Sequence, residues 1–392
     1  MVEILLVVGL VVAAFVGYNI GGATTGPAFG PAVGAGVISK AGAAALMSVF
    51  FFIGAGTLGR RVVDTLGEDL ITQPGVFTLE SSIVVLFFIG GALFVGNYFG
   101  VPASTSMTAV GAIAGLGVAT SSLDLAVMGS IAIWWLVAPI IGFWVSGVVG
   151  RYFYPRINRW VAIDGTEGPL LEFDRSGLLP RPSLGPNTTR REVVGAVVVV
   201  AIGCLMAFSS GTSNIANAIA PLVGAGVVEM NPMIVLGSAA VAVGAFTIAR
   251  RTLDTLGNDI TDLPLTAAIV VAVVSSGIVI GLSAIGIPAS FVIIATMSIV
   301  GLGWGRATRT ATVSEGIRGE AETNVAVSAL AADEPGDEVV GIGEEDPDDI
   351  PAATDLFDPT TTARVVVLQN VVPLLSTIGA FVTFYLLFGF VW

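Results

Sequence analysis

Long apolar stretches, separated by short polar breaks, run through most of the chain. They cover residues 4–15, 41–56, 82–95, 125–149, 193–208, 234–246, 265–285 and 365–392. Most approach or exceed the roughly 20 residues that an α-helix needs to cross a bilayer. A helix that is apolar on every side belongs in lipid or in the middle of a bundle. The pattern therefore predicts an all-α fold, a polytopic transmembrane helical bundle with the lipid bilayer as its partner. The first stretch has no basic flank and no small-residue cleavage site after it, so it reads as a retained helix rather than a signal peptide. The predicted setting is the cell membrane, multi-pass.

The pattern also occurs twice. Residues 21–36, GGATTGPAFGPAVGAG, return 190 positions later as GTSNIANAIAPLVGAG at 211–226, and the register holds through RRVVDTLG at 60–67 and RRTLDTLG at 250–257. Gly100-Val101-Pro102-Ala103-Ser104 and Gly286-Ile287-Pro288-Ala289-Ser290 follow at an offset of 186. A duplication with Gly/Pro interruptions inside matching apolar segments points to a carrier built from two inverted repeats with broken or re-entrant helices, with its site at the breaks. The predicted organisation is a first membrane repeat over 1–150 and an Arg/Pro-rich connector over 151–192. A second membrane repeat follows over 193–305, then an acidic disordered loop over 306–363 and a C-terminal transmembrane helix over 364–392.

Composition narrows the chemistry. Charged residues make up 11% of the chain, against about 25% in soluble domains. There is no His, and Cys204 stands alone, which excludes an intrachain disulfide, imidazole acid–base work and the usual zinc ligand sets. With no carboxylate pair inside the apolar segments either, the chain is not expected to be an enzyme. No cofactor and no nucleic acid are expected; a homo-oligomer stays open. The net charge is −13, and residues 315–358 hold 14 of the 29 acids against Arg318 alone, which is also a net −13. That segment lacks apolar periodicity and cannot bury enough surface to offset its ordering entropy. Lys40 is the single lysine; acidic excess with Lys avoided fits a halophile's hydrated surface, and drift in a GC-rich genome gives the same bias. Connector arginines assign that segment to the cytoplasm. Counting an odd number of crossings per inverted repeat puts the acidic segment outside, whereas Arg306, Arg309 and Arg364 beside it argue for inside.

The chemistry concentrates after residue 208. Ser209, Ser210, Thr212, Ser213, Asn214 and Asn217 crowd into nine positions, and such groups at membrane depth must pair with each other or with a ligand. If Gly211 breaks the helix, the stretch from Asn214 restarts with its amides facing the break, a setting that suits an anion. The first repeat offers Asn19, Thr24 and Thr25 there. Ser104, Thr105 and Ser106 after Pro102, and Ser290 after Pro288, read as two further capped helix starts. Four half-helix starts at the midplane would hold a dianion without a buried cation. The expected anion cage is Ser213, Asn214, Asn217, Ser104, Thr105 and Ser106, with Ser290, Thr24 and Thr25 opposite. Asn19, Ser209, Ser210 and Thr212 are the candidates for a cation. Single Ser or Thr residues in such helices often bond the preceding turn instead. Arg60/Asp64 and Arg250/Asp254, at i,i+4 spacing, are expected as interfacial ion pairs.

The residues at 207–222, AFSSGTSNIANAIAPL, resemble the AFSHGSNDVANAIGPL motif of the PiT family of inorganic phosphate transporters. Gly100 to Met107 resemble its GxPVSTTH, and Gly286 to Ser290 are a weaker copy. The resemblance covers both repeats. It implies a secondary carrier for inorganic phosphate that works by alternating access with Na⁺ or H⁺ as coupling ion. Sulfate or another tetrahedral oxyanion is the alternative substrate, and a passive anion channel the alternative mode. The motif Asp falls on Asn214 and on Thr24, the motif His on Met107, and the second STT reads Ser290-Phe291-Val292. Losing both acids favours an anion and weakens cation binding.

Overall fold

A computed structural model describes residues 2–34, 36–98, 104–161, 171–174, 181–184, 190–259, 265–307 and 359–391. The first half comprises α1 (Val2–Gly34), α2 (Lys40–Gly56), α3 (Gly59–Asp64, running into a wide π turn at Thr65–Asp69), α4 (Leu79–Tyr98), α5 (Thr105–Ala119) and α6 (Leu125–Val148). The second comprises α8 (Arg190–Gly224), α9 (Met230–Asp259), α10 (Leu265–Ala284), α11 (Phe291–Ala307) and α12 (Pro359–Val391). Among the described residues, seven helices are long and apolar enough to span a membrane, or eight if the bent α2–α3 pair counts as one. Ile4, Val11, Phe87, Ile133, Leu136, Trp144, Ile378 and Tyr385 lie exposed on the outside of the bundle, where lipid replaces water. The chain is a multi-pass membrane protein, as its apolar pattern predicts.

Between the halves lie α7 (Tyr154–Val161) and a short antiparallel ribbon pairing β1 (Leu171–Asp174) with β2 (Arg181–Leu184). The ribbon departs from the all-α expectation, but it is confined to the polar connector.

The two halves pack through each other. α1 lies against α9 and α2 against α8; α6 lies against α11 and α12 against α5. The first two crossings are made by glycines in matching register. A Cβ at Gly211 would sit 2.1 Å from the Phe51 carbonyl, and one at Gly54 2.2 Å from that of Phe208. Their duplicates Gly21 and Gly244 approach the carbonyls of Val241 and Tyr18 as closely.

This packing corrects one expectation. α1 and α8 run without interruption through 21–34 and 211–224, so neither segment is broken. The glycines there permit helix contact rather than chain reversal, and the hydroxyls bond the turn before them. Thr24 and Thr25 donate to the Ile20 and Gly21 carbonyls, and Thr212 to that of Ser209. The interruptions fall elsewhere: between α10 and α11, where Gly286 has φ +79°, between α4 and α5, and between α2 and α3. The last pair bends by 64°. Gly54, Gly56 and Gly59 lower helix propensity there, whereas α9 carries Phe246 and Ala249 at the last two positions and stays straight.

Gly211→Val should therefore prevent assembly, read as loss of the monodisperse peak in detergent size exclusion. Gly277→Ala, whose added Cβ meets nothing within 4 Å, should leave that peak intact.

Helix direction gives the bundle two unlike ends. Lys40, Arg151, Arg156 and Arg306 collect at one, where Arg306 lies 4.8 Å over the Tyr154 ring and Thr266 donates to Asn158 at 2.8 Å. Glu3, Asp64, Glu68, Glu80, Asp124 and Glu229 collect at the other, where Arg60 and Arg61 also lie against Asn231 and the end of α10. The first end, where the connector joins the bundle, bears more arginine.

The ends of the acidic segment lie on the arginine-bearing face. α11 finishes there at Ala307, and α12 starts there, because Thr377 meets Gly111 while Phe381 meets Gly115 farther along α5. The crossing count that separated this segment from the connector goes astray because α12 pairs with α5 as α6 pairs with α11. The acidic segment thus interrupts the second set of helices instead of following it. Residues 308–358, expected to be disordered, lie outside the described residues.

The expected Arg60/Asp64 ion pair is not formed. Arg60 bonds the Gly56 carbonyl at 2.8 Å and reaches Asn231, while Arg61 caps the Ala284 carbonyl at the end of α10. Both residues lie within α3, so the helical spacing is intact; the Arg60 donors go instead to the Gly56 carbonyl and the Asn231 side chain. The side chains of Arg250 and Asp254 lie outside the described residues.

Candidate functional site

Where α5 and α11 begin, their first turns face the middle of α1 and α8. Ser104 caps α5, accepting from the Met107 amide at 3.3 Å. Ser290 caps α11, accepting from the Ile293 amide at 3.5 Å. These are the two half-helix starts read from the sequence; with α1 and α8 continuous, there are two and not four. Each brings unpaired first-turn N–H groups and the positive end of a helix dipole.

A small cavity of about 50 Å³ lies between them, lined by Thr24, Ser104, Thr105, Ser210, Asn214 and Ser290 together with Ala23, Pro27, Ala28, Met206, Phe291 and Val292. Among the described residues, no charged side chain lines it. Asn214 is the hub. Its Oδ1 accepts from Thr105 Oγ1 at 2.6 Å and from Asn217 Nδ2 at 3.2 Å, and its Nδ2 donates to Ser210 Oγ at 3.0 Å. In the bonds recorded for Ser104, Ser210 and Ser290, each hydroxyl is the acceptor, so each keeps its own O–H proton to donate. Three hydroxyl donors and two helix starts around a neutral cavity suit an oxyanion.

The other expected cage residues serve the walls. Ser213 Oγ donates to the Ala289 carbonyl at 2.8 Å and accepts from the Ala289 amide at 3.2 Å, while Ser106 Oγ donates to the same carbonyl at 2.9 Å. These bonds fasten α5 and α8 to the α10–α11 turn. Asn217 is fully buried beneath Asn214, and its Oδ1 has no partner. Thr25 is buried against its own helix.

Of the cation candidates, Ser210 reaches the cavity, whereas Asn19, Ser209 and Thr212 do not line it. Asn19 instead accepts from Asn97 at 3.0 Å, tying α1 to the end of α4. Sequence reasoning missed the apolar half of the lining: Met206, Ala28, Phe291 and Val292. The signal for two of them is visible in Ser290-Phe291-Val292, where apolar side chains follow the capping serine directly. Pro27 adds a further feature. A proline inside a helix removes the donor for the carbonyl four residues before it, which leaves the Ala23 carbonyl without its helical partner at the cavity.

Interlocked halves of inverted direction, each with a helix that starts at mid-depth beside a polar cavity, define the secondary-transporter class of membrane protein. Comparison with known proteins makes the assignment particular. The model of the phosphate transporter family matches residues 20–164 and 180–330, and the chain belongs to that family.

It is 30% identical over 293 residues to the sulfate permease CysP of Bacillus subtilis (strain 168), covering 74% of this chain and 75% of that protein. It is 24% identical over 390 residues to a Chlamydia trachomatis serovar D protein named "Putative phosphate permease", covering 78% and 91%. A solved structure titled "The sodium-dependent phosphate transporter" superposes with a TM-score of 0.64 at 15% identity, covering 98% of both chains. That likeness is one of fold.

Proposed function

We propose that the chain is a secondary carrier that moves inorganic phosphate across the membrane by alternating access, binding it in the cavity between the starts of α5 and α11. The supporting observation is the set of uncommitted hydroxyl donors on Ser104, Ser210 and Ser290 around a cavity without charged side chains, in a chain of the phosphate transporter family. Thr105 and Asn214 position those donors.

A second reading, sulfate, is favoured by a specific feature. No carboxylate lines the cavity to accept a proton from a protonated phosphate, and a fully ionised oxyanion has no such proton to place. The identity with a sulfate permease supports it. Uptake of radiolabelled phosphate into proteoliposomes, with sulfate, arsenate and molybdate as competitors, tests both. Phosphate uptake displaced by arsenate but not by sulfate supports the first reading, and the reverse supports the second. Counterflow exchange separates either from a passive channel.

Na⁺ as coupling ion would rest on neutral oxygens such as Asn217 Oδ1 and the Ala23 carbonyl. Without a carboxylate they hold a cation weakly. Uptake is therefore expected to fall less than threefold when Na⁺ is replaced by choline. A strict Na⁺ requirement in the same flux assay would show that neutral oxygens suffice.

A further inference from the structure

A second and larger cavity, about 160 Å³, joins the first. They share Pro27, Ala28, Met206 and Phe291, and the second extends along Ile202 of α8, Ala272 of α10 and Ile299 of α11. Its walls are apolar throughout. It runs toward the ends where α8 and α10 begin and α11 finishes, which is the arginine-bearing face.

The duplication gives every wall residue a counterpart in the other half. With offsets of 190 and 186, Met206 corresponds to Val16, Ala272 to Leu86 and Ile299 to Ile113. Val16, Leu86 and Ile113 are fully buried, whereas Met206 and Ala272 keep 9% and 6% of their surface exposed and Ile299 is half-buried. Leu86 puts a larger side chain where Ala272 leaves room. At the far end the difference is polar. Ser82 of α4, fully buried, donates to the Pro221 carbonyl of α8 at 2.6 Å. The matching pair is Ala268 and Pro31, which face the open cavity, and alanine has no proton to offer. Beside this bond, Leu222 closes on Gly9, where an added Cβ would meet it at 3.2 Å.

We infer that the apolar cavity is the access route to the anion site from the arginine-bearing face, and that Ser82 on Pro221 is the bolt that holds the equivalent route shut on the opposite face. The inference rests on the carrier reading for its meaning. The gate geometry, however, is tested without any transported substrate. Two halves of one duplicated design cannot both pack around a single anion site and both stay open, and the residue difference at 82 and 268 decides which closes more firmly. Ser82 touches no substrate in this arrangement; it is a positioning residue for the gate.

The test uses the full chain with Cys204→Ala, so that introduced thiols are the only ones. Ala272→Cys and Ile299→Cys report on the proposed route, and Leu86→Cys and Ile113→Cys on its closed counterpart. In inside-out vesicles, a membrane-impermeant maleimide is expected to label positions 272 and 299 at least tenfold faster than 86 and 113. Adding Ser82→Ala should raise labelling at 113 at least threefold from the opposite face, in right-side-out vesicles, and Ser82→Thr should restore protection. Equal rates at the four positions would overturn the route. Unchanged labelling at 113 in the Ser82→Ala variant, with its size-exclusion profile intact, would overturn the bolt. If labelling follows the expected pattern but no oxyanion accumulates in proteoliposomes, the carrier reading fails and the gate geometry stands.

Discussion

Asn214→Ala should abolish oxyanion uptake, with flux falling about a hundredfold or more while the protein still inserts and elutes as a folded species. The side chain accepts from Thr105 and Asn217 and donates to Ser210. Truncation strands two buried donors and frees the serine that Asn214 aims at the cavity. Two lost bonds of about 1.4 kcal/mol each already amount to roughly a hundredfold. Because Asn214 lies on the inner face of a continuous helix, alanine there leaves the backbone ladder of α8 unbroken. Radiolabelled flux in proteoliposomes, normalised to folded protein, is the measurement. Undiminished flux would remove Asn214 from the site.

Asn214→Asp should be more damaging still in Na⁺-free buffer, for a different reason. It keeps the shape and the two accepted bonds but places a negative charge in a cavity whose lining has none. A carboxylate about 6 Å from a dianion, at an effective dielectric constant of about 20, opposes binding by roughly 5 kcal/mol. Uptake in Na⁺-free buffer is therefore expected to drop by about four orders of magnitude. A bound cation can offset that charge, so the variant should recover at least tenfold when Na⁺ is added, whereas the parent protein should respond less than threefold. The same flux assay in the two buffers decides it, and a variant indifferent to Na⁺ would show that position 214 does not face the transported ion.

Much of this architecture can be read from the amino acids. The apolar runs mark the spans, and the repeated motifs give the pairing of halves that the glycine crossings express. Ser104 and Ser290 announce the two half-helix starts through their proline and hydroxyl neighbours. Gly211 shows where such reading stops. Inside an apolar helical run, a glycine can open the backbone or let another helix approach, and its neighbours in sequence are the same in both cases. What decides is the Phe51 carbonyl, 160 positions away (211 − 51). Ser213 and Ser106 fail to reveal themselves for a similar reason, since their partner is the backbone of Ala289 and no side-chain pattern advertises a carbonyl. The place of the last helix was hidden too, because a count of crossings cannot tell a segment that follows a repeat from one that splits it.

That split bears on how the molecule is made. α5 presents Gly111 and Gly115 to Thr377 and Phe381 of α12, yet α12 begins only at Pro359. During synthesis, every other helix has emerged from the ribosome before this one. The glycine face of α5 must wait in the bilayer through translation of all the acidic residues between 315 and 358. Whatever lipid or insertion machinery covers α5 during that delay has to leave again before α12 can dock. A nascent chain released before residue 359 enters the membrane with Gly111 and Gly115 uncovered.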